Sequence, residues 1–341
     1  MKRILVTATG GAVAATILQM IKDVSVVDFE IIATDMHIDT SFLETVSHFE
    51  YLPSAGSDDY TTKLLNCISK YEPDYILPLT EEECLQVSRL AEEDLLPCKY
   101  LGMSSDTISL IMDKVECMKK LAVSNVLLPQ FREISSFDCL EQSMRELGFP
   151  DKKIVFKPKS GRGSRGFRVV DENIEKVVAF EQKGAQTYVT LDMLKYSFED
   201  EPERIKEYFV MEFLTGKLGG CDMVAFDGEA LAAFPAFPKD GLWGAYTHVD
   251  LKIDPELKKY CTNCAHVLGM HGLCNVEAGY DGRGNVKLIE VNSRTSATAH
   301  QNSLVGPNNM DLFMRAQLGK KEYFEQTKEA TYRLLLEMYR T

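Results

Sequence analysis

Two stretches of the sequence hold side chains of the kind that handle phosphate and a divalent cation. In residues 154–170, IVFKPKSGRGSRGFRVV, an apolar run ends in Lys157-Pro158. Ser160, Gly161, Gly163, Ser164 and Gly166 follow, with Arg162 and Arg165 among them. Glycines let successive backbone N–H groups converge on one anion. Hydroxyls, arginines and a strand-end lysine add donors. No Gly-x-x-x-x-Gly-Lys-Ser/Thr occurs in the chain, so this is not a Walker loop. A plain glycine-rich hairpin with solvated arginines is the competing reading. In residues 272–300, two strand-like runs flank Asp281-Gly282-Arg283-Gly284. Glu277 lies in the first run, and Glu290 and Asn292 lie in the second. Glu290 and Asn292 are two apart and so share one face of a strand. A hairpin centred on the glycines brings Glu277 close to Glu290. Three oxygen ligands then suit Mg²⁺, or Mn²⁺, together with phosphate oxygens and water. The competing reading is an exposed face of a half-buried hairpin. Arg294 continues the alternation and suits bidentate grip of a phosphate or carboxylate.

A third stretch, YFVMEFLTG (208–216), is an apolar strand that carries Glu212 and ends in a glycine turn. Backbone released from pairing there is free to meet a purine edge. In this order the three stretches resemble the ATP-grasp superfamily, most closely proteins similar to a fragment of the carbamoyl phosphate synthase large chain. The resemblance covers nearly the whole chain. Asp113-Lys114 followed by Leu128-Pro129 looks like the start of the ATP-grasp region, where a lysine reaches the nucleotide phosphates. Phe156-Lys157-Pro158 and the loop 160–166 look like the second lysine strand and the phosphate lid. Met211, Glu212, Phe213 and Leu214 look like the linker that reads adenine. Asn275-Val276-Glu277 and Glu290-Val291-Asn292-Ser293-Arg294 look like the pair of magnesium strands, with Ser293 where the family usually has Pro. Residues 303–319 resemble the helix start that follows. After Gly216 the family commonly carries a Glu that holds the ribose. Here the chain reads Lys217-Leu218-Gly219-Gly220-Cys221-Asp222, which leaves Asp222 as an open substitute.

These residues need a frame to position them. Runs 3–8, 30–35 and 74–79 are short and rich in Ile, Leu and Val, with helix-like stretches 12–22 and 58–71 between them. Such alternation predicts a parallel sheet covered on both faces. A helical segment follows over 104–125. From about residue 150 the strands come in close pairs, at 154–157, 167–170, 208–213, 222–227, 273–279 and 286–291, with tight turns that indicate antiparallel sheet. Segment 192–206 reads as a solvated helix or loop, and EATYRLLLEMYRT (329–341) has helical periodicity. The expected fold class is α/β: an N-terminal parallel-sheet pre-ATP-grasp domain (1–110), then a two-lobed α+β ATP-grasp domain with lobes at 111–190 and 191–341.

The chain has 341 residues and 38 − 51 = −13 formal charges. A negative balance disfavours nucleic acid and anionic membrane as partners but leaves ATP open. No run reaches the ~18 apolar residues of a membrane helix, and MKRILVTATGG reads as a first strand, not a signal peptide. Nine scattered cysteines fit a reducing compartment, so a cytoplasmic location is expected. Cys261 and Cys264, with His266 and His271 nearby, fall on a helical stripe, and a structural role is expected in preference to metal or redox chemistry.

The resemblance implies ATP-dependent ligation of a carboxylic acid to an amine through an acyl phosphate, with ATP and Mg²⁺ as cofactors. Small-molecule acid and amine substrates are the expected partners, and a homodimer is left open. Lys114, Lys157 and the loop would hold phosphates; Glu277, Glu290 and Asn292 would hold the metal; Arg294 would clamp the transferring group. The rivals are phosphoryl transfer without ligation, a nucleotide sensor without turnover, and a nucleotide-cofactor reductase using Gly10, Gly11 and Asp35. Residues 234–248, with Lys239, Trp243, Tyr246 and His248, are candidates for lining the substrate, or form a surface loop.

Overall fold

The computed structural model describes residues 1–11, 14–37, 45–161, 165–174, 187–242, 245–296 and 299–333, without the side chains of 240–242 and 245–247. Contacts divide the chain into two compact units. The first combines 1–111, 217–279 and 289–341; the second combines 112–216 and 280–288.

The first unit opens with the α/β sheet expected from the sequence. Strands β1 (Lys2–Thr7), β2 (Phe29–Asp35), β3 (His48–Tyr51), β4 (Tyr75–Pro78) and β5 (Lys99–Tyr100) run parallel in the order β3-β2-β1-β4-β5. Alternation along β1 divides its side chains between two cores. Ile4 and Val6 pack with Ile17, Leu18 and Ile21 of the helix Ala14–Lys22. Leu5 packs on the opposite face with Tyr60, Leu64 and Ile68 of the helix Tyr60–Tyr71 and Val87 and Leu90 of the helix Glu81–Glu92.

The second unit is built on β6 (Phe131–Glu133), β7 (Ile154–Pro158), β8 (Arg168–Val170), β9 (Tyr188–Val189) and β10 (Tyr208–Glu212), in the order β6-β10-β7-β8-β9. All pairs are antiparallel except β8 with β9. Phe156, Val170 and Val210 join Leu140 and Met144 of the helix Phe137–Glu146 in its core.

The third sheet, whose strands belong to the first unit except for Tyr280 and 286–288, contains β11 (Leu218–Phe226), β12 (Glu229–Leu242), β13 (Ala245–Leu251), β14 (Gly272–Tyr280), β15 (Val286–Asn292) and β16 (Ala330–Arg333), in the order β15-β14-β11-β12-β13-β16. Asp227 and Gly228 have φ of 53° and 80°, the left-handed geometry of a two-residue hairpin turn between β11 and β12. The helix Asn309–Gln317 packs on β11 and on the helix Ala14–Lys22. Asn308 caps it, and Asp311 accepts hydrogen bonds from the backbone of Ser25 (2.6 Å) and Val26 (3.3 Å).

Two local expectations change. In the aromatic stretch, 234–242 and 245–248 are not a loop but parts of β12 and β13, whose register shifts between Pro238 and Gly241. The terminal helical pattern begins as strand β16, because pairing of Ala330–Arg333 with β13 outweighs a weak local preference; 334–341 lie outside the described residues. Among the described residues, no helix is long and apolar enough to cross a membrane.

Candidate functional site

In the second unit the phosphate-type residues gather around one helix start. Asp113 caps the helix Lys114–Val123, its carboxylate accepting from Val115 N (3.0 Å) and Glu116 N (3.1 Å). Lys114 is thereby fixed as the first helical residue. Its backbone N–H donates to Lys159 O (2.9 Å), and its Nζ donates to Gly161 O (2.7 Å). Lys157 ends the buried part of β7, with its Nζ 5.5 Å from the centre of the Phe209 ring. Burial pushes the Cys117 thiol up to about 12, with Asp113 adding to the rise. Lys114 and Lys157 both act in the opposite sense.

Ser160 and Gly161 are exposed, and Gly161 has φ of 122°. Gly166 has φ of 76°, a conformation that strains other residues, and a Cβ there would lie in tight contact, 3.2 Å from the Tyr208 ring. Gly163 and Ser164, with Arg162, fall outside the described residues.

The adenine-linker candidates lie at the end of β10. Met211 and Leu214 are buried, Glu212 and Phe213 half-buried, and the ladder with β7 ends at Glu212. The Glu212 carboxylate accepts from Gln130 N (3.1 Å) and pairs through both oxygens with Lys287 Nζ (2.9 Å each). Lys287 also meets Asp281 (3.3 Å), whose carboxyl is held below the usual range by hydrogen bonds from the Asn285 side chain and backbone. Lys153 lies over the rings of Tyr188 (5.0 Å) and Phe213 (5.9 Å). Sequence reasoning missed Lys287 and Lys153. The only signal for Lys287 was its position in the strand of Glu290.

The metal-type residues belong to the first unit. Glu277 and Glu290 are half-buried and Asn292 is buried. Asn292 Nδ2 donates to Asn275 Oδ1 (3.2 Å), which places these two residues face to face on β14 and β15. Two residues farther along each strand of the hairpin, Glu277 and Glu290 come onto the same face. Across the sheet Glu277 is opposite Gly220, where a Cβ would sit 2.6 Å from Val276 O, so β11 and β14 approach closely only with glycine there. Arg294 is half-buried and donates from Nη1 to Thr295 O (3.1 Å).

Asp222, the open ribose candidate, is 1% exposed, and its carboxylate accepts from Asn275 Nδ2 (2.9 Å) and Asn302 Nδ2 (3.4 Å). Asp35, the reductase candidate, is committed to the backbone of its own turn and of the turn after β1. Its oxygens accept from Gly10 N (2.7 Å) and His37 N (2.8 Å), and a Cβ on Gly10 would lie 2.5 Å from one of them. Lys239 pairs with Asp250 (2.7 Å), and His248 lies on β13. Trp243 and the Tyr246 side chain are outside the described set. Cys261 and Cys264 are fully buried on the helix Pro255–Leu268. Among the described residues no three His, Cys, Asp or Glu side chains group as a metal site.

Residues 204–337 match a family described as ATP-grasp in the biosynthetic pathway with Ter operon. The carbamoyl phosphate synthase large chain of Clostridium perfringens is 26% identical over 270 residues, covering 76% of this chain and 23% of that protein. The chain thus spans about a quarter of that relative's length. Among solved structures, N5-carboxyaminoimidazole synthetase from Staphylococcus aureus complexed with ADP superposes with a TM-score of 0.72 at 14% identity, over 98% of this chain and 82% of that one. L-amino acid ligase from Bacillus licheniformis gives 0.69 at 15% identity, over 99% and 81%.

Residues 204–337 thus carry the match to an ATP-grasp family, and the fold is that of the ATP-grasp structures. The family match includes Met211–Leu214, Glu277, Glu290, Asn292 and Arg294, while Lys114, Lys157 and the glycine loop lie before it. At these identities the structural likeness concerns the ATP-grasp fold and leaves the reaction to the site itself.

Proposed function

We propose that this ATP-grasp protein is an ATP-dependent ligase that joins a carboxylic acid to an amine. The acid's carboxylate oxygen attacks the γ-phosphorus, the bond to ADP breaks, and an acyl phosphate forms. The amine then attacks the acyl carbon, loses a proton and releases phosphate. The observation that carries this reading is that Lys114, at the start of a capped helix, bonds Lys159 O and Gly161 O in the segment that directly follows Lys157 on β7. Two cations and a glycine turn there suit the phosphates of a nucleotide. Backbone at Met211–Leu214 would meet the adenine edge, and Arg294 would grip the transferring group bidentately.

Glu277, Glu290 and Asn292 offer hard oxygen donors, which fit Mg²⁺ or Mn²⁺ and not a soft metal. Such an ion, when bound, supplies charge neutralisation on the phosphoryl group. Positioning and electrostatics suffice for this chemistry, so no protein nucleophile is required. The similarity to a synthetase crystallised with ADP and to an L-amino acid ligase supports the reading. Calorimetric titration of ATP with Mg²⁺, followed by ADP release and product mass across a panel of amino acids and small acids, tests it. Binding with acid- and amine-dependent ADP release is expected. Absence of ATP binding overturns the nucleotide reading, and ADP release without a new amide overturns ligation.

A further inference from the structure

We propose that Asp222 is a positioning residue that fixes which way the Asn292 amide points, leaving its oxygen for a divalent cation. The inference rests on the reading of Asn292 as a metal ligand. A carboxylate only accepts hydrogen bonds, whereas an amide has a donor end and an acceptor end. Asp222 on β11 stands directly opposite Asn275 on β14. Its Oδ1 therefore draws the donor end of Asn275, Nδ2 at 2.9 Å, and the same Nδ2 reaches Cys221 O at 3.3 Å. Asn275 is then left with its acceptor end toward β15, and Asn292 Nδ2 donates to it at 3.2 Å. The Asn292 nitrogen is consumed, and Oδ1 is its other end. One buried charge thus sets the direction of two amides in series.

Burial makes the direction matter. Asp222 is 1% exposed, Asn275 and Asn292 8% each, so a reversed amide would gain little from solvent. Asn302 Nδ2, 3.4 Å from Asp222 Oδ2, braces the other carboxylate oxygen. A buried carboxylate is costly and an apolar residue would pack there at less cost. The directed chain gives the acid a reason to be there. Outer partners that orient a metal ligand typically change affinity 10–100-fold when removed.

The test uses the full chain and Mn²⁺ in the presence of ADP, with bound Mn²⁺ read by electron paramagnetic resonance. Asp222→Asn allows both amides to flip, and Mn²⁺ affinity is expected to fall about tenfold or more. ADP affinity without metal should be unchanged. Asn292→Asp alone puts an acceptor against the Asn275 acceptor, so it should also weaken Mn²⁺ binding despite its added negative charge. The double variant Asp222→Asn/Asn292→Asp keeps the total charge and runs the chain in the opposite direction with the three side chains paired, at the loss of the long Asn275 bond to Cys221 O. It should recover most of the affinity. If Asp222→Asn fails to fold, the contrast between Asn292→Asp and the double variant still reads the direction. Unchanged Mn²⁺ affinity in Asp222→Asn, or no recovery in the double variant, overturns the proposal while the metal reading stands. No Mn²⁺ binding by the unmodified chain overturns both.

Discussion

The first unit contains two buried polar networks that differ in what they leave over. At the C-terminal edge of the parallel sheet the groups satisfy one another. Asp35 accepts from Gly10 N and His37 N, and Glu83 Oε2 accepts from Thr7 (2.9 Å) and Thr80 (3.0 Å). In the antiparallel sheet the chain Asp222–Asn275–Asn292 has a direction and ends on an oxygen. A network of acids and donors closes on itself, whereas a series of amides starting from an acid passes its polarity outward. The edge where a doubly wound sheet commonly meets a ligand is therefore committed internally here, and the proposed chemistry falls to the antiparallel strands.

Three substitutions test that contrast. The largest effect is expected from Glu290→Gln, which removes one charge from the outward-facing set. Turnover should fall by about 10² or more, the scale of losing one preorganised electrostatic group, with an unchanged circular dichroism spectrum. Near-native ADP release would make the antiparallel network a packing device like the other.

Asp35→Ala comes next. It leaves the N–H groups of the exposed residues Gly10 and His37 without their acceptor, at a cost of about 0.5–1.5 kcal/mol for a lost hydrogen bond, seen as a lower urea midpoint. ATP affinity should hold. A loss of affinity with no loss of stability would show that Asp35 serves a ligand.

The smallest effect concerns Glu83, whose carboxyl burial pushes up to about 7, against the pull of hydrogen bonds from Thr7 and Thr80. The native state then keeps a proton that the unfolded chain releases near its ordinary value of 4.5. Stability contributed by this group is lost as pH rises from about 4.5 to about 7 and is flat above that. Glu83→Gln keeps the acceptor and removes the titration. Relative to the unmodified protein, its melting temperature should be similar at pH 4.5 and higher at pH 8, by on the order of 1–3 °C. An equal difference at both pH values would mean that Glu83 is ionised throughout.

Local patterns explain what was legible. Ile, Leu and Val runs between helical stretches specified the parallel sheet, since a strand buried on both faces needs continuous apolar residues. Asp-Gly at 227–228 specified its hairpin because few residues accept positive φ. The i, i+2 spacing of Glu290 and Asn292 placed them on one face, as strand geometry requires. By contrast, 234–242, 245–248 and 330–333 became strands through partners, and pairing energy is not written in the segment that receives it.

The sequence by itself determined which residue types are available: two lysines, a glycine-rich loop, two acids and an asparagine on paired strands. Their chemistry follows from side-chain identity and period alone. Only the tertiary structure decided which of these groups are spent and which are left over. Asp35 and Asp222 read alike as isolated acids, yet one closes a turn and the other begins a directed chain of amides. Lys287 read as a strand residue, yet it pairs with Glu212, 75 positions away. A hydrogen bond depends on donors and acceptors meeting within about 3 Å. For residues tens of positions apart, the fold brings them there, and no local spacing encodes it.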